Sequence, residues 1–133
     1  MIGLDTNVLV RYFTQDDPAQ SRRATKLIET HCTKESPGFV SVVVLCELIW
    51  VLDSGYGYEK TAIAKLLRGM VSTPALVIEN QDRVSRALSL YEQGEAGFSD
   101  CLIASSCEDE AAVPVYTFDK AAAKTTDLFM MVP

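Results

Sequence analysis

The chain lacks several features that would place it in other classes of protein. None of its apolar runs is long enough to span a bilayer. Residues 1–5 lack the basic and extended apolar segments of a signal peptide. No two cysteines have C-x-x-C spacing, and the single histidine, His31, offers no zinc pattern. We therefore expect a cytoplasmic protein with reduced, structural thiols and no membrane partner.

Basic charge is also scarce. The 133 residues include 12 Lys and Arg against 18 Asp and Glu, a formal net charge of −6. A negative protein attracts nucleic acid poorly by non-specific electrostatics. Bound divalent ions, however, reverse the sign of the field at a local site. The charge therefore disfavours a general nucleic-acid binder and does not exclude a nuclease.

Short apolar strands alternate with helical segments along the whole chain. We predict strands near residues 2–5, 39–40, 75–78, 113–116 and 128–132, with helices between them. Ser99 is the predicted cap of a helix that begins at Asp100. The alternation predicts an α/β sandwich with a parallel sheet. The length, with no repeat or linker, predicts a single domain over residues 1–133.

Four acidic residues are set into or against apolar runs: Asp5, Glu47, Asp100 and Asp119. A buried, unpaired carboxylate is costly, so such groups are normally paired, neutralised or bound to metal. Glu47 has apolar neighbours on every face of its predicted helix, which predicts burial rather than solvation. Read singly, Asp5 and Asp119 are equally well explained as helix caps, and Asp100 as a first-turn acid that favours the helix dipole.

The predicted topology would bring these acids to one edge. Asp5 and Asp119 end strands, while Glu47 and Asp100 lie on helices that follow short loops at the same edge. Ligands of open parallel sheets bind beyond the carboxyl ends of the strands. Four converging carboxylates repel one another and favour a hard cation such as Mg²⁺ or Mn²⁺.

The segments around the acids resemble those of the PIN-domain ribonucleases. They are Asp5-Thr6-Asn7, Cys46-Glu47-Leu48, Ser99-Asp100-Cys101 and Thr117-Phe118-Asp119-Lys120. The first of them, continued through Arg11-Tyr12 to Asp16-Asp17-Pro18, is similar to the VapC toxins of prokaryotic toxin–antitoxin pairs. The resemblance covers essentially the whole chain, with the motifs in the family's order.

The resemblance implies a three-layer α/β/α sandwich with a central, mostly parallel sheet. It also implies an endoribonuclease dependent on Mg²⁺ or Mn²⁺. Asp5 and Asp100 map onto the metal ligands, and Glu47 and Asp119 onto the remaining catalytic acids. The implied partners are an RNA substrate, a cognate VapB antitoxin and a second copy in a homodimer.

Two further sets of residues are candidates for contacts with these partners. Aromatic residues are enriched at interface centres, so Trp50 and its neighbours Ile49, Tyr56 and Tyr58 form a candidate partner surface. Basic side chains that hold phosphates at the rim of the site are expected among Lys120, Lys124 and Arg11.

Other functions remain open at this point. A PIN nuclease that is not a toxin fits the same motifs. A haloacid-dehalogenase-type phosphatase also ends its first strand in Asp, but needs a second acid where this chain has Asn7. A phospho-receiver domain also clusters acids around Mg²⁺, and Lys120 would be its only candidate lysine. The sequence leaves the RNA that is cleaved and the choice of metal undetermined.

Overall fold

Parallel strands and helices alternate throughout the computed structural model, which describes residues 1–133. The chain divides into two units, Met1–Glu79 and Asn80–Pro133. That these units form a single domain stays a prediction. None of the helices has the length and apolar character needed to cross a membrane.

The first unit is built on three short strands, β1 (Ile2–Gly3), β2 (Gly38–Val40) and β3 (Leu76–Ile78). They lie in the order β1-β2-β3, and both pairs are parallel. A side chain at Gly38 would come within 2.7 Å of Leu4 and 2.8 Å of the Cys32 sulfur, so the central strand requires glycine there. Because all three strands are parallel, their carboxyl ends lie at one edge of this sheet.

Four helices surround these strands: α1 (Thr6–Thr14), α2 (Pro18–His31), α3 (Val42–Trp50) and α4 (Lys60–Ser72). A π-helical turn, Val51–Gly55, continues α3. Two of these helices begin at a residue whose side chain caps the first turn. Asp17 accepts a hydrogen bond from the Gln20 amide at 3.0 Å, and Ser41 accepts one from the Val44 amide at 3.2 Å. The core of this unit includes Leu9, Leu45, Leu48, Leu52, Ile63 and Leu67.

The second unit contains helices α5 (Gln81–Gln93), α6 (Phe98–Asp109) and α7 (Lys120–Thr125) and strands β4 (Val115–Thr117) and β5 (Phe129–Met131). The two strands pair in parallel. Helix α5 packs against α6. The buried residues of the two helices include Val84, Ala87, Leu88, Cys101 and Ala104. Arg83 and Arg86 of α5 form ion pairs with Asp109 at the end of α6.

The predicted start of α6 is wrong by two residues. The helix begins at Phe98 rather than Asp100, and its N-cap is Gly97, with no side-chain capping bond from Ser99. Phe98 is 2% exposed, and its ring meets Tyr91 edge to face, with centroids 5.9 Å apart. Burial of this aromatic ring therefore decides where the helix starts, and cap chemistry does not.

A close approach at Gly94 ties the end of α5 to α7. A methyl group at Gly94 would lie 2.4 Å from the Thr125 methyl carbon and 2.6 Å from its hydroxyl oxygen. That hydroxyl donates to the Ala121 carbonyl at 2.8 Å and accepts from the Ala96 amide at 3.1 Å. Any side chain at Gly94 must therefore displace the side chain of Thr125.

We predict that Gly94→Ala lowers the free energy of unfolding by about 1–3 kcal/mol, the usual cost of overpacking a fitted contact. Urea titration measures this loss. Gly69→Ala is the matched control, because a methyl group there meets nothing within 4 Å. Equal stability of the two variants would show that Thr125 yields without cost.

Candidate active site

Asp5 follows β1 and caps α1. One of its carboxylate oxygens accepts a hydrogen bond from the Thr6 amide at 2.8 Å, and the residue is exposed. The capping role and a metal-binding role are compatible, because a carboxylate has two oxygens and several lone pairs. Thr6 itself is buried, so the start of α1 holds Asp5 in place.

Glu47 is exposed, so the prediction that it is buried is wrong. It lies on the same face of α3 as Val43 and Trp50, which are 64% and 68% exposed. The opposite face carries the buried residues Leu45 and Leu48. Burial of Glu47 was expected from its apolar neighbours. Two of these neighbours, Val43 and Trp50, belong to an exposed stripe and not to the core. The same exposure excludes a core role for Trp50.

Glu79 directly follows β3 and is half-buried, and it was not among the predicted site residues. One of its carboxylate oxygens accepts a hydrogen bond from the Val42 amide at 2.9 Å. The first amides of a helix have no partner within the helix, so Glu79 satisfies one of them and holds the start of the helix that carries Glu47. An acid directly after a predicted strand, as at Asp5 and Asp119, was the signal available in the sequence.

Asp100 is half-buried in the first turn of α6. Burial raises the pKa of its carboxyl, and the negative charge of Asp119 raises it further, while a backbone hydrogen bond at Gly97 acts in the opposite direction. The folded unit therefore disfavours the charged form of Asp100. A cation beside it would reverse that preference.

Asp119 lies at the end of β4 and is exposed. One carboxylate oxygen accepts hydrogen bonds from the amides of Ala121 and Ala122 at 2.8 and 3.2 Å, which caps α7. Its own amide donates to the Thr117 hydroxyl at 2.9 Å. The Thr117 hydroxyl thus holds the backbone at Asp119.

The structure therefore brings Asp100 and Asp119 together within the second unit. In the first unit, Asp5 follows β1 and Glu47 lies on the helix that follows β2. The chain contains no group of three or more His, Cys, Asp and Glu side chains that could hold a metal ion. Asp100, with Asp119 beside it, still fits a site for Mg²⁺, because that ion is usually held by one or two carboxylates, with waters and substrate phosphates as its other ligands.

Arg11 is engaged elsewhere, although it was a candidate for phosphate contact. Its guanidinium lies 3.1 Å from the Asp16 carboxylate and 3.1 Å from the Tyr56 hydroxyl, and it donates to Gln20 at 2.8 Å. Tyr56 also donates to Asp16, and this bond is the main reason that the pKa of Asp16 is lowered. Arg11 thus links α1 to the loop before α2 and to the residue after the π-helical turn.

Comparison with known proteins identifies the family to which this chain belongs. The model of the PIN domain matches residues 2–128, and the chain belongs to the PIN-domain family. It is 25% identical over 99 residues to a VapC ribonuclease of Aquifex aeolicus (strain VF5), a match that covers 74% of this chain and 73% of that protein. The predicted α/β class and the resemblance to PIN domains of the VapC type are confirmed. Membership of this family also sets aside the phosphatase and receiver alternatives.

Proposed function

We propose that this protein is a divalent-metal-dependent endoribonuclease and the toxin of a VapBC-type pair, acting in the cytoplasm. The observation that carries the proposal is Asp100, whose charged form is disfavoured by burial and by the negative charge of Asp119, in a chain of the PIN-domain family. The similarity to a protein named VapC ribonuclease supports RNA as the substrate. A PIN nuclease that is not a toxin would use the same residues and differs only in having no antitoxin.

Asp5, Glu47, Asp100 and Asp119 are the proposed catalytic acids, with Asp5 and Asp100 as the ligands of Mg²⁺ or Mn²⁺. When bound, the divalent cation supplies Lewis acidity, which lowers the pKa of an attacking water and offsets charge on the scissile phosphate. The caps at Asp5 and Asp119 fix each carboxylate through one oxygen, so that the acids are oriented before the cation arrives.

The reaction is hydrolysis of a phosphodiester. Water adds to phosphorus, the bond from phosphorus to the 3′ oxygen breaks, and the products carry a 5′-phosphate and a 3′-hydroxyl. Lys120 and Lys124 of α7 are exposed, and neither takes part in an ion pair. Their ammonium groups are suited to holding RNA phosphates beside Asp119.

Incubation of the purified protein with total RNA tests the nuclease proposal. With Mg²⁺ or Mn²⁺ we expect discrete fragments that accept ligation only through 5′-phosphate ends. With excess EDTA we expect intact RNA. Full cleavage by metal-stripped protein in EDTA would contradict metal dependence, and cleavage products with 5′-hydroxyl ends would contradict the proposed hydrolysis.

The proposed protein partners are a second copy of the chain and a VapB-type antitoxin. Of the predicted partner surface, Ile49 is wrong, because the structure buries it, and Tyr56 and Tyr58 are half-buried. Trp50 is 68% exposed and presents a large apolar area to water. The proposed partner surface is therefore Trp50 with its exposed neighbours on the same face of α3, Val43 and Glu47. A basic side chain of the antitoxin placed near the acids would compete with metal for the same carboxylates.

We predict that Trp50→Ala weakens the complex with the antitoxin encoded beside this protein by more than about 1 kcal/mol, as expected for a central aromatic residue of an interface. Metal-dependent cleavage should not change. Calorimetric titration measures the affinity, and Val77→Ala, at an exposed strand position of the same unit, serves as the control. Equal affinities of the wild type and Trp50→Ala would remove this face from the interface.

A further inference from the structure

The paired strands β4 and β5 expose an apolar face in the second unit. Tyr116 is 60% exposed, Phe118 81% and Met130 50%, whereas Phe129 is 7% exposed. Tyr116 stands opposite Met130 in the register of the two strands, and side chains of a strand alternate between its faces. Tyr116 and Met130 therefore form an exposed apolar face of this small sheet, and Phe118, just beyond β4, adds a second exposed ring. On the opposite face Phe129 is buried, while Met131 is 38% exposed.

The position of Phe118 relates this face to the proposed chemistry. Phe118 directly precedes Asp119, and a hydrogen bond from the Asp119 amide to the Thr117 hydroxyl fixes the backbone between them. On the other side, Lys120 begins α7, and Lys124 lies one turn further along it. The nine residues 116–124 thus contain two aromatic rings, the acid Asp119 and two free ammonium groups.

Single-stranded nucleic acid is bound by this combination of groups. Successive bases stack on exposed aromatic rings, and basic side chains follow the phosphates. Duplex RNA does not fit, because its bases are already stacked on each other. Tyr116 lies in β4 and Phe118 directly follows the last residue of that strand, so two exposed rings are available within three residues for neighbouring unstacked bases.

We infer that Tyr116 and Phe118 form a stacking platform for unpaired bases of the RNA next to the phosphodiester that is cleaved. The inference rests on the proposed function and adds to it the two side chains that hold unpaired bases beside Asp119. Stacking accepts every base, so the platform selects for unpaired RNA and not for a particular sequence. Phe118 is a positioning residue, since it places the strand beside Asp119.

Binding to a short single-stranded oligoribonucleotide tests the platform, with every protein in the Asp100→Asn background so that no cleavage occurs. Fluorescence anisotropy measures the dissociation constant for this oligomer and for an abasic oligomer with the same number of phosphates. We expect Phe118→Ala and Phe118→Leu to weaken binding to the base-bearing oligomer by about tenfold, the usual loss for one stacked base. Phe118→Trp should bind it as well as the parent protein does.

The abasic oligomer separates stacking from phosphate contact. Phe118→Ala should leave its affinity unchanged, whereas Lys124→Ala should weaken both oligomers alike. Because Phe118 is 81% exposed, its replacement should leave the melting temperature unchanged, which excludes misfolding as the cause. Val77→Ala controls for the removal of an exposed apolar side chain elsewhere.

Three results would overturn the platform. The first is an unchanged affinity of Phe118→Ala for the base-bearing oligomer, and the second is an equal loss for both oligomers. The third is unchanged RNA binding with a loss of self-association or of antitoxin affinity, which would make this face a protein interface. If the wild type cleaves RNA with metal while the Phe118 variants bind normally, the platform alone fails. If the wild type neither binds nor cleaves RNA, the proposed function fails as well.

Discussion

Asp100→Asn is expected to reduce RNA cleavage by on the order of a thousandfold, because the loss of a metal ligand removes several kcal/mol of transition-state stabilisation. The substitution removes the charge and keeps the shape of a half-buried side chain, so the fold should persist. Initial rates with Mn²⁺ measure the loss, and circular dichroism checks the fold. Asp127→Asn is the matched control, an exposed acid of the same unit that is not one of the proposed catalytic residues.

The same design separates capping from catalysis at Asp5 and Asp119. Asn is as good an N-cap as Asp, so Asp5→Asn and Asp119→Asn should keep α1 and α7 while removing a negative charge. We expect both variants to be folded and to have lost most of their activity. Near-normal cleavage by either variant would show that the replaced acid serves only as a helix cap. Normal cleavage by Asp100→Asn would contradict the proposed metal site.

Mn²⁺ is expected to stabilise the wild-type protein by about 2.7 kcal/mol at a hundred times its dissociation constant, because the ion binds the folded state and not the unfolded chain. For a chain of this length, such a gain raises the melting temperature by several degrees. The gain should be much smaller for Asp100→Asn. Equal shifts in the two proteins would show that the ion binds elsewhere.

The dependence on pH has a definite sign when metal is absent. The folded state raises the pKa of Asp100, so it binds the proton more tightly than the unfolded chain does. Stability from this group is therefore present below the ordinary carboxyl pKa and is lost as the pH rises through the raised value. In EDTA at neutral pH, Asp100→Asn should melt at or above the temperature of the wild type. With Mn²⁺ the wild type should melt at the higher temperature, because only the wild type gains the full stabilisation from the bound ion.

Local chemistry made most of the fold predictable. Asp17 followed by Pro18, and Ser41 before an apolar helix, specify their helix starts through backbone hydrogen bonds of a few residues' range. The short apolar runs predicted the strands through hydropathy instead, because buried parallel strands are continuous apolar segments. Asp5 and Asp119 were expected either as caps or as site acids. The structure shows both capping bonds, and the catalytic role stays a prediction.

The features that depend on tertiary packing were not predictable in this way. Glu47 is exposed because the outward face of α3 also carries apolar residues, and hydropathy alone does not identify that face. The start of α6 depends on the burial of Phe98 against Tyr91. The bond from the Val42 amide to Glu79 joins residues 37 positions apart, so it follows only from the pairing of β2 with β3.

Mapping of RNA ends in cells, shortly after the wild-type protein or Asp5→Asn is induced, tests the nuclease account most directly. The account predicts new 5′-phosphate ends at discrete, single-stranded positions with the wild type, and none of these ends with Asp5→Asn at equal protein level. New ends that appear equally with both proteins, or that carry 5′-hydroxyl groups, would contradict metal-dependent hydrolysis by these acids.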